Sequence, residues 1–346
     1  MTALFNIRTA AVFLCLLTAT LATARADITV QISVKFIHNN DPANTRPGGA
    51  IGTVAGFGAE ITYGNAVLGA TGRGYSLNVV EYLDIQPPPP AGQSAGYWYN
   101  LPARANRQTI ETAALASTAV WRWNPNAINI YVNNSSSGQC SFVGTGSSIS
   151  LGGSVGTGTV LHETGHIFNL AHTHAGDYST NNNPPSGIFV LGDLQDGDSL
   201  VETAIDNPNI SSNNQLCGAL FGKTYALANA GEQATVDSAF QNVMSYHNEA
   251  VLLSVQMDLW TLNANGARLP FCNGRTWFLA NGGNDGAAGN AAALPLATVS
   301  SGLSHVSTAN DVVLLRSGSY GAPAGGVLAT PCTLRATRGE ATVHFP

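Results

Sequence analysis

The chain has 346 residues, of which 44% are hydrophobic and only 10% charged, enough for one large domain or two modest ones. That balance is too apolar for a disordered chain and too sparsely charged for a nucleic-acid binder. Its 38 glycines, with many Asn, Ser and Thr, favour loops and short strands over long helices.

The N-terminus reads as an export signal. Arg8 supplies a positive start, 10–21 is an apolar run too short to span a bilayer comfortably, and Ala24-Arg25-Ala26 is an A-x-A cleavage site. The mature chain is expected to begin at Asp27 and to be secreted, to the extracellular space or a periplasm. Cleavage there removes Arg8 and Arg25 and no acid, which takes the formal net charge from −6 to −8. An acidic export product repels polyanions and anionic membranes. No later segment is a transmembrane candidate, so neither nucleic acid nor membrane is an expected partner of the mature chain. Cys15 leaves with the signal. Cys140, Cys217, Cys272 and Cys332 remain, an even count that favours disulfides in an exported protein and allows three pairings.

Along the mature chain, 28–38 alternates and predicts a strand. Small and apolar residues over 48–68 suggest a helix, and 75–85 a second strand. Pro87 to Pro90 is a polyproline stop in a surface loop. Helical spacing over 104–123 places Ile110, Ala113, Ala114 and Trp121 on one side. Short strands are expected at 127–132 and 147–151. Strands alternating with helices predict a mixed α/β layer. The Gly/Ser stretch 135–158 is read as part of that layer, because the helix after it needs a sheet to pack on. From 175 to 212 the chain is polar and irregular, and no Lys or Arg occurs between Arg122 and Lys223. Asp177, Asp193, Asp196, Asp198, Glu202 and Asp206 are therefore short of basic partners nearby in sequence. Beyond about 269, short β-type runs such as 312–315 and 341–345 alternate with Gly-rich turns.

The chemistry concentrates in Val160-Leu161-His162-Glu163-Thr164-Gly165-His166-Ile167-Phe168-Asn169-Leu170-Ala171-His172. His162 and His166 are i and i+4, which puts both imidazoles on one helix face, one turn apart, as shared metal coordination needs. Leu161, Ile167 and Leu170 can bury the other side. Glu163 can reach a metal-bound water without joining the coordination shell. Zinc lowers the pKa of that water to about 7, and Glu163 would take its proton and pass it to a leaving amine. His172 lies six residues after His166, too far along to share the same face, so the helix must end and the chain turn back. Asn169 stands where that turn is needed, and Asn is the best non-Gly residue for positive φ.

This segment resembles the metzincin zinc motif H-E-x-x-H-x-x-G-x-x-H, with Asn169 in place of the usual Gly. Metzincins also carry a Met-turn downstream, and Asn242-Val243-Met244-Ser245-Tyr246 is similar to it. The resemblance gives Met244 a place beneath the zinc site and Tyr246 a role in steadying the transition-state oxyanion. His172-Thr173, the acidic stretch 196–203 and the flanking Cys217 and Cys272 are most similar to the pappalysin-like (cytophagalysin) group. That likeness implies an α/β (α+β) catalytic domain over 27–272: a twisted mixed sheet, a zinc helix, an irregular lower subdomain and a cleft between them. It also implies a Cys217–Cys272 disulfide, leaving Cys140–Cys332, and calcium near the site, with Asp196, Asp198 and Glu202 as candidate ligands. His38, His174 and His247 read as ordinary polar side chains, although His247, directly after Tyr246, is also placed to line a cleft.

Residues 273–346 form a small β-rich C-terminal region. Its runs at 298–303, 311–320 and 332–336 resemble the first coils of right-handed parallel β-helices. There is room for about two coils where a solenoid needs about three to bury a continuous core, so this region must pack on the rest. The function expected is a secreted zinc-dependent endopeptidase acting on a protein or peptide substrate. Its rival is a secreted binding or adhesion module with a non-catalytic zinc site, and Glu163 argues against that, since a structural zinc needs no carboxylate beside its ligand and usually has four protein ligands.

Overall fold

Two sheets organise the computed structural model, which describes residues 4–6, 28–136, 138–140, 146–175, 188–200, 202–247, 250–321 and 330–344. Strand β1 (Leu4–Asn6) lies in the stretch expected as an export signal, whose other residues fall outside the described set. Strands β2 (Ile28–Ile37), β3 (Tyr75–Ile85), β4 (Ile128–Asn133), β5 (Gly138–Cys140) and β6 (Ser148–Gly152) form a five-stranded sheet in the order β3-β2-β4-β6-β5. The first four of these run parallel, and β5 closes one edge antiparallel to β6. The alternating Ile28, Val30, Ile32, Val34 and Phe36 are all fully buried. So are Ser33 and Lys35 between them, as expected of a central parallel strand covered on both faces.

Helices cross between the strands, as parallel pairing requires. Helix α1 (Val54–Ala70) begins later than the composition suggests, because the Thr53 hydroxyl accepts the Gly56 N–H and sets the N-cap there. A single turn, α2 (Tyr97–Asn100), precedes α3 (Ala103–Ala116). The helix predicted over 104–123 stops at Ala116. Trp121 instead turns inward, edge-on to Trp98 at 4.9 Å and to Tyr131 at 5.4 Å, and Arg122 takes a φ of 50° to complete the bend. Helix α4 (Thr159–Ile167) follows β6.

Among its described residues the polar stretch 175–212 is irregular apart from one short 3-10 turn at Leu191–Asp193, and ordered helices begin directly after it. They are α5 (Asn213–Phe221), α6 (Ala230–Phe240) and α7 (Ser254–Asn265). Ser212 caps α5, and Asn229 with Glu232 forms a capping box on α6. A small cluster including Phe189, Leu194, Ile210, Leu216, Cys217 and Val236 packs α5 and α6 on the loop before them.

The second sheet has the order β1-β9-β8-β7, with β7 (Thr276–Leu279), β8 (Val312–Gly321) and β9 (Thr333–His344) parallel and β1 antiparallel to β9. The run at 298–303, read as resembling part of a β-helix coil, is α8 (Val299–His305). The Thr298 hydroxyl caps it, and Gly302 lets it lie close on the sheet, where an added Cβ would come 2.5 Å from Leu279 Cδ1. One cluster of buried side chains runs from β2 into this sheet and includes Phe278, Val312 and Leu314. Asn273 ties the end of β7's approach to β2, accepting the Thr29 N–H through its side chain and donating its own N–H to the Thr29 carbonyl. The architecture is thus a mixed α/β fold with two largely parallel sheets. No helix among the described residues is long and apolar enough to cross a membrane.

The expected Cys217–Cys272 disulfide is not formed. Cys217 is buried in the lower cluster and Cys272 packs against the main core, and both are free thiols. Burial pushes the Cys272 thiol up to about 12. Cys332 is also a free thiol, and the side chain of Cys140 lies outside the described residues.

Candidate metal centre

Helix α4 is held at both ends by charged side chains from elsewhere. At its start Gly158 takes a φ of 93° and donates its N–H to Glu60 Oε2 on α1 at 2.9 Å. Burial raises the Glu60 pKa, and the N–H groups of Gly158 and Val160 oppose that rise. At its end the buried Arg268 donates Nε–H to the Ile167 carbonyl at 2.9 Å. A carboxylate at the N-terminus and a guanidinium at the C-terminus both match the helix dipole.

The turn after α4 is made by Asn169, at a φ of 68°. The Leu170 N–H bonds to the Gly165 carbonyl and the Asn169 N–H to that of His166. These two bonds complete a Schellman motif, with Asn in the left-handed position usually given to Gly. The reversal returns His172 to the face that carries His162 and His166. His172 Nε2 lies 3.2 Å from His162 Nε2 and 3.0 Å from His166 Nε2.

These contacts fit shared coordination better than hydrogen bonding. His162 Nδ1 faces the Val243 carbonyl at 2.6 Å and His166 Nδ1 the Leu170 carbonyl at 2.7 Å. A carbonyl accepts only, so each Nδ1 carries the proton and each Nε2 presents a lone pair. Burial, then the neighbouring His166, pushes the His162 pKa down to about 3, which keeps the ring in its neutral, ligating form. Three nitrogens about 2.0–2.1 Å from a tetrahedral zinc would stand ~3.3 Å apart, close to the observed spacing. Among the described residues, His162, His166 and His172 are the one group of His, Cys, Asp or Glu gathered as metal ligands. The site can therefore hold a metal, and its donor set fits zinc.

Other predicted residues surround this triad. Glu163 is 6% exposed on α4. An added Cβ at Gly138 on the edge strand β5 would lie 3.5 Å from Glu163 Oε1, so that strand passes over the carboxylate. Met244 is fully buried against the opposite side of α4, where Gly165 makes room: a Cβ there would lie 2.6 Å from Met244 Sδ. The tight turn at Asn242 is closed by the Ser245 N–H bonding to the Asn242 carbonyl. It carries Tyr246 to the triad, with ring centroids 4.8 Å from His172 and 6.0 Å from His162. His174 stacks on His172 at 5.0 Å and lies 4.5 Å from the Tyr246 ring.

The carboxylates of the acidic segment bond to backbone N–H groups. Among the described residues, Asp196, Asp198 and Glu202 do not converge on a cation site. Asp196 accepts the Ser199 N–H, Asp198 the Leu200 N–H and Glu202 the Val255 N–H. Backbone N–H groups thus satisfy these carboxylates in part. Asp206, from the same stretch, does find a partner. It is fully buried beside His247, whose side chain is 2% exposed and stacked on Phe240 at 4.7 Å. His247 therefore does not line a cleft. His38 bonds to Asp84 and the Asn44 carbonyl at the ends of β2 and β3. An open groove of about 660 Å³, lined by residues including Glu81, Asp84, Arg122 and Trp123, shares no residue with the triad.

No protein-family model matches the chain, and no curated protein matches it. Among solved structures, one described as "Structure of a chaperone-substrate complex" aligns with 64% of this chain and 36% of that one, at 14% identity and a TM-score of 0.31. A likeness that low carries no argument about fold or function.

Proposed function

We propose that the chain is a secreted zinc-dependent endopeptidase of the metzincin kind, acting on protein or peptide substrates. The observation that carries this reading is the triad itself. Two of its imidazoles have their Nδ1 protons tied to backbone carbonyls, all three Nε2 atoms converge, and a carboxylate sits one residue beyond the first ligand. Three protein ligands leave a coordination position open, as catalytic rather than structural zinc requires.

A zinc ion bound there supplies an acidified water at neutral pH and polarises a carbonyl. Glu163 is the general base. Its carboxylate takes the water proton as the nucleophile adds to the scissile carbonyl, then returns it to the departing amine. The Tyr246 ring, half-buried against His172 and His162, brings a phenol to the same side, where its hydroxyl can donate to the oxyanion. His162, His166 and the Asn169 turn serve to hold the donor set. Strand β5 over Glu163 bounds the space left for an extended peptide.

The test is zinc content and cleavage of an unfolded protein by the purified chain beside Glu163→Ala. About one zinc per chain in both, with cleavage reduced by roughly 100-fold or more in the variant, is the expected outcome. Cleavage that survives in Glu163→Ala would overturn the assignment. Zinc bound by both with no cleavage by either would favour a binding module.

A further inference from the structure

The first two ligands are rigid because they stand on α4 and their Nδ1 atoms are anchored. The third is not on the helix. His172 is carried by the returning strand of chain after Asn169, so the segment 172–174 decides where its ring points. Thr173 is fixed on both sides of its backbone. Its N–H bonds to the Met244 carbonyl at 3.1 Å, and its carbonyl accepts the Gly197 N–H at 3.1 Å. At Gly197 an added Cβ would lie 2.1 Å from the His174 oxygen and 2.5 Å from the His172 oxygen, so the acidic loop is pressed directly onto this segment.

One side chain gathers these pieces. The Thr173 hydroxyl donates to Asp206 Oδ2 at 3.2 Å, across 33 residues of chain. His247 Nε2 reaches both Asp206 oxygens at 3.0 Å, across 41 residues. The Asn207 N–H completes the set on Oδ1 at 2.7 Å. Thr173 directly follows the third ligand, and His247 directly follows Tyr246. A fully buried carboxylate is costly unless every lone pair is used, and here the partners are the neighbours of two site residues.

We propose that Asp206 is a positioning residue of the metal centre, which fixes His172 and Tyr246 relative to each other through Thr173 and His247. It touches neither the three ligating nitrogens nor Glu163. It acts as outer-shell partners of metal ligands do, through orientation, and loss of such a partner typically weakens metal binding 10–100-fold. The proposal rests on the triad being a zinc site and not on peptidase activity.

Two variants of the full chain test it, Thr173→Val and Asp206→Asn. The first removes one donor and keeps the shape, so it folds even where the second does not. The readouts are the zinc dissociation constant by chelator competition, the absorption spectrum of the cobalt-substituted protein, and the melting temperature of the metal-free chain. Zinc binding weakened roughly 10-fold in Thr173→Val and up to about 100-fold in Asp206→Asn, with a shifted cobalt spectrum, is expected. A zinc dissociation constant and cobalt spectrum equal to the wild type's, whatever happens to the melting temperature, would make Asp206 part of the scaffold alone and overturn the proposal. A wild-type chain that binds no zinc overturns this inference and the reading it rests on. One that binds zinc but cleaves nothing overturns the peptidase reading alone.

Discussion

Strands β2 and β4 and helix α4 share one core cluster with Val243 and Met244 of the turn beside the histidine triad, through side chains such as Val34, Ile130, Leu161 and Ile167, all fully buried and apolar. The segment 188–247 approaches the metal centre through amides, carboxylates and hydroxyls. Asn242 alone bonds to the Ser238 carbonyl, the Met244 N–H and both ends of the Gln256 amide. In the first region geometry follows from a pattern of burial, and many side chains share the work. In the second it follows from particular donor and acceptor pairs, each of which leaves a buried orphan when removed. The upper region should therefore tolerate conservative changes that the lower one does not.

The largest contrast is expected at Asn242. Asn242→Ala leaves Gln256 Nε2 and the Met244 N–H without their shared acceptor in a buried site and should cost about 3 kcal/mol. Val34→Ile or Ile130→Val, equally buried, should cost about 1 kcal/mol. Denaturant unfolding of the three variants decides it, and equal losses would dissolve the distinction. A smaller effect is expected where the regions meet. Gly165→Ala places a methyl group 2.6 Å from Met244 Sδ and should destabilise by about 1 kcal/mol net, because overpacking outweighs the gain in helix propensity. In a Met244→Ala background the same change should stabilise. A double-mutant cycle with no coupling would show that the seam is not tightly packed.

The smallest effect at neutral pH sharpens the comparison from the other side. The sheet holds one polar knot of its own, where Lys35 donates to Ser33 and Asn129 and Ser33 donates to Glu81. Burial pushes the Lys35 pKa down to about 7, partly offset by Glu81. Between there and its ordinary value of 10.5 the unfolded chain binds more protons than the folded one. Stability should therefore rise with pH from about 7 toward 10 and be least favoured by this group below 7. Lys35→Met, filling the same volume, should flatten that slope in the metal-free protein. An unchanged slope in unfolding experiments at several pH values would move the titration to another group.

The same division governs which parts of the molecule are legible in its amino-acid sequence. The strands at β2, β3, β4 and β6 are visible because alternation and apolar runs dictate them. The histidine triad is visible because i, i+4 spacing and an Asn at the required stop are local, and Asn169 does take the left-handed conformation. The end of α3 is not, since it is set by Trp121 packing on Trp98 and Tyr131, a contact between distant segments. Helices α5 and α6 lack a strong apolar stripe, although the Asn229 and Glu232 capping pair is a usable signal. The bonding of the acidic stretch is not legible in this way, because a count of carboxylates says nothing of the backbone N–H groups that bond to them. The pairing of Asp206 with His247 spans a segment without periodicity and has no local signature at all.

The clamps on α4 have a consequence for how a metal would come and go. Glu60 and Arg268 reach the helix from α1 and from the chain after α7, and neither belongs to the ligand set. The helix is thus oriented by the surrounding protein rather than by the ion it would carry. A helix oriented in this way leaves more of an ion's binding energy to appear as affinity rather than being consumed in ordering the chain. Such a centre can be emptied and refilled as an exchangeable socket on a lasting frame, unlike small domains whose folding and metal uptake are a single event.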